Sequence, residues 1–197
     1  LTKRFGGNLN AWVNAKFGKA ALGVDYRYEN ILSNVLGEEM DSPEKVPGED
    51  AAFTKSKTRN TISGFLEHVY YANKWTLSAG LLSNYISESG TGINFFPGID
   101  ASYKISTSFN VFSSFNTSLR MPTFTDLYYQ GPTNIGNPDL KPEKTTSFEG
   151  RFKLNSNLIQ GHWIGFYRKG INTIDWVKKD ESEKWQPQNL TQLSSYG

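Results

Sequence analysis

Side-chain polarity alternates with a period of two over most of this chain, and that property excludes most folds. In 93–105, Ile93, Phe95, Pro97, Ile99, Ala101, Tyr103 and Ile105 share one parity, and Asn94, Phe96, Gly98, Asp100, Ser102 and Lys104 the other. A helix would wrap both sets around its circumference. An extended chain sorts them into one apolar and one mostly polar face. The same alternation runs through 9–17, 20–29 and 107–119. It recurs less perfectly in 57–71, 74–86, 145–154, 158–177 and 184–191. The pattern predicts an all-β antiparallel up-and-down meander of about nine strands, with no convincing helix.

Many of these strands approach or exceed about ten residues, against the usual ~5–6, and ~9–11 is what a tilted strand needs to cross a bilayer. The connections add a second regularity. Tight turns are expected near 18–19, 72–73, 106–107 and 155–157. Between them fall longer connections over 32–56, 87–92, 120–144 and a hairpin tip at 178–184. In a meander every second connection lies at one end of the sheet, so the tight turns share one end and the long loops the other. An outer-membrane barrel has that asymmetry. Phe17, Tyr70, Tyr71, Trp75, Tyr103 and Phe109 gather near the tight-turn end, as an interfacial girdle would. Aromatics also simply suit strands, so on pattern alone a soluble β-rich adhesion or carbohydrate-binding protein stays open beside the barrel.

Little in the sequence suggests catalysis. Net charge is +2, too close to balance to propose a nucleic-acid partner, and there is no cysteine for a disulfide or thiolate metal site. No run approaches the roughly 18 apolar residues of a membrane-spanning helix, and the first ten residues lack the apolar segment of a signal peptide. The segment 37–50 carries Glu38, Glu39, Asp41, Glu44, Glu49 and Asp50, hard oxygen ligands of the type calcium takes. It lacks the spacing and fixed glycine of an EF-hand loop, and a solvated surface loop is the favoured reading. Ser42 and Lys45 match S-x-x-K, but Pro43 interrupts the helix that geometry requires. His68 and His162, the only histidines, are expected on polar strand faces, and no third is available for a catalytic metal. Two N-x-S/T sequons, at Asn116 and Asn189, are left as chance matches.

The most structured connection is 118–146. Four of the chain's eight prolines lie between Pro122 and Pro142, with Gly131 and Gly136 among them. Pro122 suits the point where a strand leaves a sheet. Asn137-Pro138-Asp139 combines side-chain turn chemistry with fixed proline φ, and Pro142 biases Lys141 to extended backbone ahead of a strand at 145. Arg120 and Glu143, near the two feet, are placed to pair, which at an exposed site contributes about 0–1 kcal/mol.

Arg120, Pro122, Leu127 and Tyr128, then Gly136, Asn137, Pro138, Leu140, Lys141, Pro142, Glu143 and Glu149, closely resemble the signature of TonB-dependent outer-membrane receptors. That signature reads R-x-P-x-x-x-x-L-Y, a variable insert, G-N-P-x-L-K-P-E and a nearby Glu. The segment 161–177 resembles the next part of those barrels, and 21–38 with 64–80 resemble the vitamin B12 (cobalamin) receptors of the BtuB type from Bacteroidetes. The resemblance implies that residues 1–197 are the C-terminal part of a barrel of about 22 strands, with its plug domain and TonB-contacting box outside this chain. It implies no catalytic residue, an outer-membrane location with lipid contact, and energy-coupled uptake of a large nutrient, cobalamin first, a ferric siderophore or glycan otherwise. The signature would fix the loop's feet, with 129–135 free to differ between substrates. Tyr128, Tyr129, Asn134 and Trp185 are the ligand-contact candidates, whereas Trp176 is expected to pack loops or form an upper girdle. A piece of nine strands has two unpaired edges, and such edges invite self-association.

Overall fold

The computed structural model describes residues 1–87, 90–178, 180–181 and 183–197. Parts of the turn expected at 87–92 and of the tip at 178–184 lie outside the described residues. Ten strands form one antiparallel sheet: β1 (Thr2–Ala15), β2 (Gly18–Ser33), β3 (Glu38–Lys45), β4 (Ala52–Ala72), β5 (Trp75–Ile86), β6 (Ile93–Lys104), β7 (Phe109–Arg120), β8 (Glu143–Asn155), β9 (Gln160–Val177) and β10 (Gln186–Tyr196). Sheet order follows chain order except that β2 pairs directly with β4, and β3 lies against the far end of β4. Among the described residues β1 pairs only with β2 and β10 only with β9.

The expected set of elements needs correction at two places. The acidic segment 37–50 is not wholly a loop: Glu38–Lys45 is a strand, with Glu39 opposite Lys55 and Glu44 opposite Phe53. It escaped detection because both its faces lie largely in water, so no polarity alternation marks it. A helix also exists, α1 (Phe124–Tyr128). Five residues are too few to show a helical period.

Tight and long connections alternate as expected. Only residues 16–17, 73–74, 105–108 and 156–159 link strands at one end. The first turn is Lys16-Phe17, just ahead of the Gly18-Lys19 expected, because Gly18 already pairs with Ala15. Asn73 takes a left-handed conformation (φ 47°), which a two-residue hairpin demands and Asn tolerates.

The registers sort the side chains. Leu9, Val24 and Gly64 share one row, as do Leu22, Leu66, Leu81 and Pro97, and Phe115, Phe148 and Tyr167. Extending these rows places nearly every apolar member of the alternation on one face. That face is bare: Ile93 is 62 % exposed, Leu66 60 % and Ile99 55 %. The opposite face carries Asp25, Arg27, Glu67, Asp100, Glu149 and Arg151. An exposed apolar band backed by a polar face is the reverse of a sandwich, whose apolar faces bury each other, and is the polarity of a membrane barrel wall. His68 sits in that band between Ala20 and Ala79, contrary to the polar surface expected, whereas His162 lies on the polar parity opposite Lys153. Trp75 and Tyr103 meet at 4.5 Å near the tight-turn end, and Phe152 and Trp163 at 5.6 Å. Among the described residues the buried apolar side chains are Ile31, Leu32, Ile86, Phe96, Leu127 and Leu140, all towards the long-loop end. The core therefore sits beneath the loops.

Candidate functional site: the outer loop cluster

The chain leaves β7 at Arg120 and turns inward at Pro122, whose side chain is fully buried. Arg59 of β4, itself 7 % exposed, anchors this turn. Its Nη2 donates to the Pro122 carbonyl (3.0 Å), and its guanidinium lies over the Phe124 ring at 4.5 Å. Thr123 then caps α1: its Oγ1 accepts from the Asp126 amide (3.1 Å) while Asp126 Oδ2 accepts from the Thr123 amide (2.9 Å), a reciprocal capping box. The other Asp126 oxygen accepts from Trp176 Nε1 (3.2 Å). Trp176 thus packs the loop onto β9, as expected.

The helix returns against the second half of the signature. The Gly136 amide donates to Tyr129 O (2.7 Å) and the Asn137 amide to Asp126 O (2.8 Å). A Cβ at Gly136 would lie 2.7 Å from both Leu127 C and Tyr128 N, so only glycine permits this approach. Asn137 Oδ1 accepts from the Asp139 amide (3.0 Å) and its Nδ2 donates to Pro187 O (3.1 Å). This is the Asx turn expected at 137–139, tied as well to β10. Leu140 and Pro142 are buried, and β8 starts at Glu143, earlier than the expected 145.

Arg120 and Glu143 pair through two contacts, Nε to Oε2 at 2.8 Å and Nη2 to Oε1 at 2.5 Å. The same Oε1 accepts from the Ile174 amide (2.5 Å). Glu143 therefore joins β7, β8 and β9 at the loop's foot, and its side chain is only 14 % exposed. The Arg120 guanidinium holds its carboxyl below the usual carboxylate range, helped by the Ile174 amide and opposed by partial burial. Glu149 does not join this cluster; it lies farther down β8 and pairs with Arg151 (2.8 Å).

The insert is held on two sides. The Gln130 amide donates to Val35 O (2.9 Å), and Lys55 Nζ donates to Gln130 Oε1 (2.5 Å). On the other side the Trp185 amide donates to Thr133 O and the Ile135 amide to Trp185 O, both at 2.9 Å. Tyr128 and Tyr129 line a cleft of about 430 Å³ between this loop and the β3 hairpin, together with Glu38, Glu39 and Lys55. Lys57 lies over the Tyr128 ring at 4.9 Å. Asn134 and Trp185 do not line it; they form a bridge beside it, with Trp185 45 % exposed. Glu38 and Glu39 pair with Lys57 (2.5 Å) and Lys55 (3.2 Å), and Glu44 with Lys3 (3.2 Å). Among the described residues no three carboxylates or histidines gather to hold a metal ion.

Sequence reasoning missed Arg59, Asn189 and Pro187. Asn189 Oδ1 accepts from the Lys141 amide (2.8 Å), and its Nδ2 donates to Lys141 O (2.9 Å) and Asn172 O (2.8 Å). Its only visible mark was the sequon dismissed as chance. Arg59 stands two and four residues from Lys57 and Lys55 in the same strand, so its residue type did not set it apart.

The description of a TonB-dependent receptor-like β-barrel matches residues 1–197, the whole chain. A vitamin B12 transporter BtuB from Vibrio vulnificus is 27% identical over 198 residues, covering 92% of this chain and 27% of the relative. Another from Photobacterium profundum is 25% identical over 142 residues, covering 71% and 23%. The chain thus spans about a quarter of the length of these relatives. Among solved structures, a mutant of the ferric enterobactin receptor PfeA from Pseudomonas aeruginosa superposes with a TM-score of 0.77 at 15% identity, over 100% of this chain and 32% of that one. The siderophore receptor PirA of the same organism gives 0.76 at 17%, over 100% and 35%. The solved structures share the fold of the strand meander, and the match over the whole length shows that this chain belongs to the TonB-dependent receptor β-barrel family.

Proposed function

We propose that residues 1–197 form a C-terminal part of an outer-membrane receptor whose apolar face meets lipid and whose long loops face outward to capture a large nutrient. The nutrient is vitamin B12, taken up with energy delivered by TonB through parts of the receptor outside this chain. The observation that carries the transport reading is the pairing of an exposed apolar band with a loop cluster anchored at one end only. Cobalamin is favoured over a siderophore or glycan because two of the curated relatives are named as vitamin B12 transporters, whereas the siderophore receptors share the fold at lower identity. Tyr128 and Tyr129 offer aromatic area to a broad ring.

The test is uptake of labelled cyanocobalamin by cells whose only B12 receptor is the full-length protein, with a ferric catecholate and an oligosaccharide as competitors. The expected result is uptake abolished by unlabelled cyanocobalamin alone, with affinity reduced about tenfold in Tyr128→Ala/Tyr129→Ala. Displacement by the catecholate or the oligosaccharide instead assigns the scaffold to that nutrient.

A further inference from the structure

The sheet is not paired along its whole height. Between β6 and β7 the ladder runs from Lys104 opposite Asn110 to Gly98 opposite Asn116 and then stops, although β6 begins at Ile93 and β7 ends at Arg120. The next pair would be Pro97 with Thr117. Pro97 has no amide hydrogen for a ladder, and the Thr117 hydroxyl donates instead to the Pro97 carbonyl (3.0 Å). Beyond that point the strands part and leave a groove of about 710 Å³.

The groove's two sides differ in chemistry. Ile93, Phe95 and Pro97 of β6 line it together with Ile171 of β9, and all four belong to the outward parity. Lys144 of β8 and Lys169 of β9 also line it, with the same parity and exposed. Among the described residues neither lysine is ion-paired with a carboxylate. Lys169 lies two residues beyond Tyr167 towards the long loops, as Thr146 lies two beyond Phe148. Lys144 directly follows Glu143 at the loop's foot, and Lys169 lies one outward position further down the same face, opposite Thr146, so both ammonium groups stand at the long-loop edge of the apolar band. Two unpaired ammonium groups beside an apolar trough match a ligand that is anionic at one end and hydrocarbon at the other.

On these grounds we infer that the groove binds one phosphorylated glycolipid of the outer leaflet. Its phosphate rests between Lys144 and Lys169, and an acyl chain lies along Ile93, Phe95 and Ile171. This rests on the outer-membrane reading proposed above.

The full-length receptor, purified in detergent, is titrated with bisphosphorylated lipid A and followed by native mass spectrometry. One retained lipid A per receptor is expected, with retention at least tenfold weaker in Lys144→Gln/Lys169→Gln. Lys153→Gln, on the lumen parity near the tight-turn end, is expected to leave retention unchanged. Dephosphorylated lipid A is expected to bind wild type and double variant equally weakly. The inference is overturned if the double variant retains lipid A as wild type does, or if the dephosphorylated form is retained equally well. Outer-membrane fractionation and heat-modifiable migration of the same receptors are read separately. A receptor absent from the outer membrane overturns the location, whereas an inserted receptor with no lysine-dependent retention overturns this inference alone.

Discussion

At the residue scale the loop's feet are fixed by groups that each serve more than one neighbour, so single substitutions there report on the whole cluster. Glu143 accepts from Arg120 and from the Ile174 amide, and its carboxyl is held below the usual range. A carboxyl with a lowered folded pKa adds stability that is fully present above its unfolded pKa of about 4.3 and is lost as pH falls through the folded value. Hydrogen exchange of the Ile174 amide, corrected for intrinsic rate, should therefore show steady protection from neutral pH to about 5 and progressive loss on further acidification. In Glu143→Gln the amide keeps an acceptor but the charge is gone, and that pH dependence should flatten; an unchanged acid limb would refute the assignment. Arg120 is half exposed, so screening limits Arg120→Ala to about 1 kcal/mol. Gly136 offers a sharper test, because an added Cβ meets backbone that has nowhere to move. Gly136→Ala should cost about 1–3 kcal/mol in thermal unfolding and expose the loop to protease. Gly131→Ala should cost less, since the atoms within reach there belong to the Tyr129 side chain.

At the element scale the outward band tests whether the exposed apolar face meets lipid. Leu66 sits in mid-band, opposite Leu22 and Leu81. An arginine at mid-depth on the lipid face of a barrel costs roughly 2–4 kcal/mol. Leu66→Arg in the full-length receptor should therefore lower folding stability in lipid by that order, while Ser63→Arg, on the opposite parity, should change it little. Equal effects at the two positions would mean that the face is not in contact with lipid. The alternation that identifies this band was legible because a period of two survives wherever one face meets hydrocarbon and the other water. β3 was not legible, since Glu38–Lys45 has water on both sides. α1 was hidden by its length, although Thr123 and Asp126 stand at capping-box spacing. The feet of the loop were legible from Arg120, the prolines and Glu143, whose types carry turn and pairing chemistry locally. The clamps by Arg59 and Asn189 were not, because their partners Pro122 and Lys141 are 63 and 48 residues away, and nothing local marks a contact of that range.

At the scale of the whole molecule the controlling feature is the pair of unpaired edges. β1 offers one backbone edge along Thr2–Ala15 and β10 another along Gln186–Tyr196, and neither finds the other within the chain. An edge of such length presents a row of free amide and carbonyl groups, a template for strand addition. The devices that discourage addition are sparse on β1: it contains no proline, and its charged side chains, Lys3 and Arg4, lie at one end. Both are drawn into pairs, with Glu44 and Glu29. Residues 1–197 produced alone in detergent should therefore associate edge to edge, whereas in the closed barrel of the receptor proposed above neighbouring strands would occupy both edges. Light scattering across a concentration series should give a mass that rises above that of one 22.2 kDa chain. Replacing Asn8 and Asn10 by lysine, of lumen parity on β1, sets like charges side by side across any β1–β1 contact and should return the mass towards the monomer. A monomer at every concentration would mean that the edges are protected, and a mass unchanged by the lysines would place the contact on the apolar face instead.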